Sequence, residues 1–147
     1  KKGFFSEGLG YHIALEGIMI GTLALLAFSV GRIFFDMGGT PVIGRTMAFC
    51  VLSLSQLVHA FNTRSSRSVF EIGLISNRSM LWAFFICSAM QITVVSVPFL
   101  SVIFKTVPLN VLQWQIVALL SLLPLLIMEF QKAINNRNRA DRYLSPM

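Results

Sequence analysis

Ser53, Ser55, Gln56, His59 and Asn62 interrupt an otherwise apolar, helix-length run that extends from Gly44 to Asn62. Polar side chains at membrane depth are costly, so their presence calls for a physical reason. Residues three and four apart on a helix share a face. Ser55 with His59, and Gln56 with His59, therefore form a single polar stripe that Asn62 extends. Two kinds of chemistry suit such a stripe. Its oxygens and imidazole could border an ion pathway, or its groups could hold neighbouring helices together, at roughly 0.6 kcal/mol per hydrogen bond in a membrane. Glu16, Gln91 and Glu129 are polar residues in the other apolar runs, and their spacing fits structural or interfacial roles. His12 and His59 are distant in sequence and have no evident partner. The sequence has no phosphate-binding glycine loop, no His-Glu-x-x-His and no nucleophile elbow, so nothing in it marks an enzyme active centre.

The elements that would position these groups are membrane helices. Apolar residues make up 55% of the 147 and charged residues 12%, which is about half the charged share usual for a soluble domain. The apolar residues gather into runs near the roughly 20 residues a helix needs to cross a bilayer. Backbone groups inside a bilayer must satisfy one another, so helices are the expected spans. The net charge is +6, but the basic residues lie between the apolar runs and not along a stripe. That pattern argues against a nucleic-acid partner and for a lipid one. Cys50 and Cys87 both lie inside apolar runs, without metal-ligand or disulfide spacing, and read as small buried hydrophobes.

Four helices are expected, over roughly 13–35, 45–62, 80–104 and 111–132. In the first, Gly17 and Gly21 form a small-xxx-small pair that would allow close helix approach. Asp36 to Gly44 carries Gly-Gly and Thr-Pro, which is turn chemistry. The third run contains Pro98, expected to kink it or end its regular part. Trp82 and Trp114 sit near run starts, as interfacial aromatics do. Ser6 is a candidate cap for the first helix. Within the 62–79 connection, Val69 to Ser76 is expected at the membrane surface, with Phe70, Ile72 and Leu74 against the protein, and the polar, basic tail from Asn135 to Arg142 is expected to fray.

Lys1, Lys2, Arg64, Arg67, Arg78, Lys132, Arg137, Arg139 and Arg142 flank one set of helix ends, against Arg32, Arg45 and Lys105 at the other. Nine against three places both termini in the cytoplasm, in agreement with an even number of crossings. The expected class is thus an all-α membrane protein with four transmembrane helices and cytoplasmic termini. The chain starts without Met and has no signal-peptide pattern, which reads as a piece of something longer.

Three stretches carry a family resemblance. Gly44-Arg-Thr-Met-Ala-Phe, followed by the polar helix ending His-Ala-Phe-Asn62, resembles the eighth membrane helix of P-type calcium-transporting ATPases. Phe104-Lys-Thr-Val-Pro-Leu-Asn-Val-Leu-Gln-Trp114 resembles the loop into the tenth helix, and Gly3-Phe-Phe-Ser-Glu-Gly-Leu-Gly10 the cytoplasmic approach to the seventh in bacterial members. The resemblance covers nearly the whole chain in order. It implies helices seven to ten of a calcium pump in a bacterial plasma membrane, whose partners are the rest of the ATPase chain (helices one to six and the cytoplasmic domains), the lipid bilayer and the calcium ion. It implies ATP and Mg2+ as requirements of the parent pump and no cofactor in this part, which lacks the family's phosphorylated Asp-Lys-Thr-Gly motif and should not pump alone. One family cation-site position falls here: where two-site pumps carry Glu in the eighth helix, this chain has Gln56. Gln56 is thus the candidate for the edge of a cation site, with Ser55, His59 and Asn62 as polar neighbours. Two other readings stand beside this one: an independent four-helix membrane scaffold or small carrier, and the same ATPase fold moving another cation.

Overall fold

The computed structural model describes residues 9–63 and 78–144; for Leu9, His12, Phe61, Asn62, Thr63, Met80 and residues 131–144 only the backbone is described. The expectations for Ser6 and for Phe70, Ile72 and Leu74 lie outside the described residues. There are five helices among the described residues: α1 (Leu9–Phe34), α2 (Val42–Thr63), α3 (Arg78–Ser96), α4 (Pro98–Phe104) and α5 (Val111–Leu144). No strand occurs among them.

Three helices are long and apolar enough to cross a membrane, through Ile13–Phe34, Val42–Ala60 and Val111–Phe130. A further apolar stretch is a bent pair, α3 and α4, which meet at 88° and together reach the length of a span. Pro98 causes the bend. Its ring drives the preceding residue out of the helical region, and Val97 is extended, with φ −84 and ψ 121. The run expected as one helix over 80–104 is therefore two helices, with Pro98 in the first turn of the second, where its missing N–H has no helical partner to lose. Pro124, by contrast, leaves α5 continuous. The helical backbone of α5 also runs on through the polar tail to Leu144, where fraying was expected. No Gly or Pro interrupts the sequence between residues 125 and 144.

The hub is α2. Its membrane window is 39% buried, against 17% for α1 and 22% for α5, and it packs on α1 and α5 most extensively and on α3 more thinly. The core joins Leu23 and Ala27 of α1, Met47, Cys50 and Val51 of α2, Val95 of α3 and Val117 of α5. Trp114, near the start of its span, packs against this cluster, whereas Trp82 is exposed.

The closest approach of α1 and α2 is at Gly31 and Gly44. A Cβ on Gly31 would overlap the Gly44 Cα, and one on Gly44 would come within 2.6 Å of the Phe28 carbonyl oxygen and 3.0 Å of the Arg32 nitrogen. The obstructing atoms are backbone, so neither position tolerates a side chain without a shift of the helices. Gly17 and Gly21, the pair read as a close-approach motif, face open space instead.

The connection between the two helices is built around Asp36. Its carboxylate accepts the N–H groups of Ile43 at 3.0 Å and Gly44 at 2.9 Å, two of the donors that the start of α2 leaves without helical partners. Arg32 donates to the Gly39 carbonyl across the same turn. The entry to α5 uses a reciprocal capping box: Asn110 N–H donates to Gln113 Oε1 at 2.8 Å, and Gln113 N–H to Asn110 Oδ1 at 2.9 Å. The segment between α4 and α5 is tied onto α2. Arg45 donates to the Lys105 carbonyl at 2.8 Å, and Val107 N–H to the Thr46 hydroxyl at 3.1 Å.

Gly44→Ala should lower stability by about 1–3 kcal/mol, the usual cost of overpacking, and more than Gly21→Ala, which gains a side chain in open space. Thermal unfolding of both variants in one detergent measures this; equal midpoints would contradict it.

Candidate functional site

Adjacent positions on a helix point about 100° apart, so Ser55 and Gln56 diverge when the helix is packed. Ser55 is completely buried, and its hydroxyl has no hydrogen-bond partner in the structure. Gln56 is exposed, on the side of α2 that looks past α3. It lines an open groove of about 350 Å3 with Ser53, Leu57, Ala60, Cys87 and Gln91. His59 turns toward α1, where its Nε2 lies 3.1 Å from Glu16 Oε2. Asn62 belongs to the last turn of α2, and its side chain is outside the described residues. The stripe read as one polar face thus serves two directions: Gln56 into the groove, His59 inward to α1.

The Glu16–His59 contact is the pairing that the sequence did not disclose, because its partners stand 43 positions apart on different helices. A helical register would have found it. In an antiparallel pair that crosses at Gly31 and Gly44, fifteen residues along each helix (31 to 16, and 44 to 59) bring these two side chains level. That distance is about 22 Å of helix. The two side chains are about a fifth to a quarter exposed, which places the pair at the boundary of the bundle and not in its core.

Gln91 faces α2. Its amide nitrogen lies 3.5 Å from Cys50 Sγ, a weak acceptor. Gln91 also borders a second, partly open pocket of about 260 Å3, lined by Leu54, Phe84, Trp114 and Ser121 among others. Cys50 is buried as expected, but Cys87 is exposed in the groove. No cluster of three or more His, Cys, Asp or Glu side chains suited to a metal occurs among the described residues. What the groove offers is neutral: the hydroxyl of Ser53 and the carbonyl oxygens of Gln56 and Gln91. Neutral oxygens can complete the shell of a hard cation, but they supply none of its charge balance.

An all-α, multi-pass membrane domain with one polar helix at its hub is the class that the fold and groove define. The chain belongs to the family described as Cation transporting ATPase, C-terminus, whose model matches residues 1–134. Among its relatives is Calcium-transporting ATPase 1 of Bacillus cereus, 37% identical over 146 residues, which covers 90% of this chain and 16% of that protein. The Calcium-transporting ATPase of Bacillus subtilis is 31% identical over 124 residues, 84% of this chain and 14% of that one. Calcium-transporting ATPase 1 of Lactococcus lactis is 31% identical over 136 residues, 91% and 15%. The chain therefore spans about a sixth of the length of the curated relatives it matches.

Replacing Glu16 and His59 by Gln, singly and together, should show a coupling of roughly 0.6 kcal/mol, the average for a polar contact between membrane helices. Chemical unfolding in detergent supplies the double-mutant cycle. Strictly additive effects would mean that the contact contributes nothing.

Proposed function

We propose that this chain is the C-terminal membrane domain of an ATP-driven calcium pump, with both termini on the cytoplasmic side. The supporting observation is the match to the cation-transporting ATPase family along residues 1–134, together with 37% identity to a calcium-transporting ATPase. Calcium is the cargo. ATP and Mg2+ are handled by segments outside these residues, so the domain does not pump by itself. Its work is mechanical: to hold α2 in a fixed orientation beside the rest of the transport path.

Gln56 is the residue of this domain that touches that path. It faces away from the α1 contact and is exposed, and its groove neighbours include the polar Ser53 and Gln91 beside Leu54 and Leu57. An amide at this point donates an oxygen without a charge. A site with one fewer carboxylate holds a divalent cation less well. The pump accordingly carries one calcium per ATP. Ser55 and His59 do not reach the cation: the first is buried inside the bundle and the second is engaged by Glu16.

Calcium bound per phosphoenzyme in the full-length protein is the measurement that decides. A ratio of one is expected, and a ratio of two overturns the reading. Gln56→Glu should then raise apparent calcium affinity or add a second site. An unchanged calcium dependence would show that Gln56 does not face the cations.

A further inference from the structure

We propose that α4 is an interfacial helix seated in one lipid leaflet, with Phe99, Val102 and Ile103 among the acyl chains and the Lys105 ammonium at the phosphates of anionic phospholipids. Length comes first. The 19 residues of α3 extend about 28 Å, close to the roughly 30 Å of a hydrocarbon core. By length alone α3 nearly spans that core. A helix turned 88° from it adds no depth and runs along the membrane plane.

The faces of α4 come next. Phe99, Val102 and Ile103 follow the i, i+3, i+4 spacing of a single stripe and are 74%, 77% and 58% exposed. Ser101, on the opposite side, is buried. Its carbonyl accepts the N–H groups of Lys105 and of Thr106, the latter at 2.9 Å, and so anchors α4 to the turn that follows. The helix thus rests on the protein through its small polar side and presents its large apolar side outward. Phe104 stacks near Phe49 of α2, with ring centroids 6.2 Å apart. This places the end of α4 beside the second turn of α2, just inside the boundary that Arg45 marks.

Charge identifies the occupant. Lys105 and Arg45 are exposed at this end, with Arg32 nearby in the α1–α2 corner. The acid of that corner, Asp36, has its two oxygens taken by α2 N–H groups. An exposed apolar stripe that ends in an excess of cations matches a leaflet of anionic lipid, with acyl chains below and phosphates above. It does not match water, which the stripe would avoid.

The test uses the full-length protein in nanodiscs containing phosphatidylglycerol. A nitroxide is placed, one position at a time, at Phe99→Cys, Val102→Cys and Ser101→Cys on a background freed of reactive cysteines. Collision with lipid-soluble oxygen should exceed collision with a water-soluble nickel chelate at least threefold at 99 and 102, and both should be low at 101. Nickel prevailing at 99 and 102 would put α4 in water; low collision with both reagents there would mean that protein covers it. Either result overturns the proposal. Lys105→Gln, which leaves the stripe intact, should lower the phosphatidylglycerol retained by the purified protein at least twofold. Unchanged retention would refute the assignment of Lys105 to the phosphates.

Discussion

The contact between Gly31 and Gly44 governs the geometry of this domain. Two helix backbones meet there with no side chain between them, and the obstruction to any added Cβ is main chain. In a bilayer, helix association relies on packing and not on the hydrophobic effect, because lipid tails are as apolar as Leu. Close backbone contact is therefore where an α-helical membrane hairpin gains its attraction. Asp36 holds the crossing in register. Its carboxylate binds Ile43 and Gly44, so the residue that caps α2 also fixes the glycine packed on α1. From that point the rest follows by helical geometry. Glu16 meets His59 at the far end, and Leu23, Ala27, Met47 and Cys50 fill the space between.

The same end of the bundle explains the minority of basic residues found there. Arg32 and Arg45 are not simply misplaced against the orientation bias. Each donates to a carbonyl of a connecting segment, Gly39 and Lys105 respectively. Irregular backbone near a membrane needs its polar groups satisfied, and a guanidinium carries several donors on a long stem. Thr46 does similar work with one hydroxyl, which donates to the Val42 carbonyl at 2.8 Å and accepts from Val107. These bonds join the α1–α2 corner to the α4–α5 connection.

Much of this was legible in the sequence, for specific reasons. The helices follow from apolar run length, because the bilayer sets a fixed minimum, although the third run is two helices. The break at Pro98 follows from steric exclusion at the preceding residue. The Asn110–Gln113 box has the two-part spacing of a helix start, and this could have been read but was missed. Other features were hidden because they depend on partners far away in the chain. Gly17 and Gly21 have the spacing of a contact motif, yet Gly31 makes the contact. Which small residue is used depends on where the loop lets two helices cross, and spacing within one helix does not contain that. The partner of His59 was hidden for the same reason. The direction of Gln56 was hidden too, since it depends on which flank of α2 receives α3.

That direction gives the polar helix its meaning. A stripe of four polar residues at membrane depth could be a single site or a single seam. Packing makes it neither. Ser55 is consumed by burial, His59 is engaged by Glu16, and Gln56 remains on the groove side with Ser53. The inward groups act within the bundle and set the α1–α2 geometry; the outward one is left to act on what lies beyond it. An amide at position 56 is thus accommodated on the exposed flank of α2 without a partner among the described residues of the bundle.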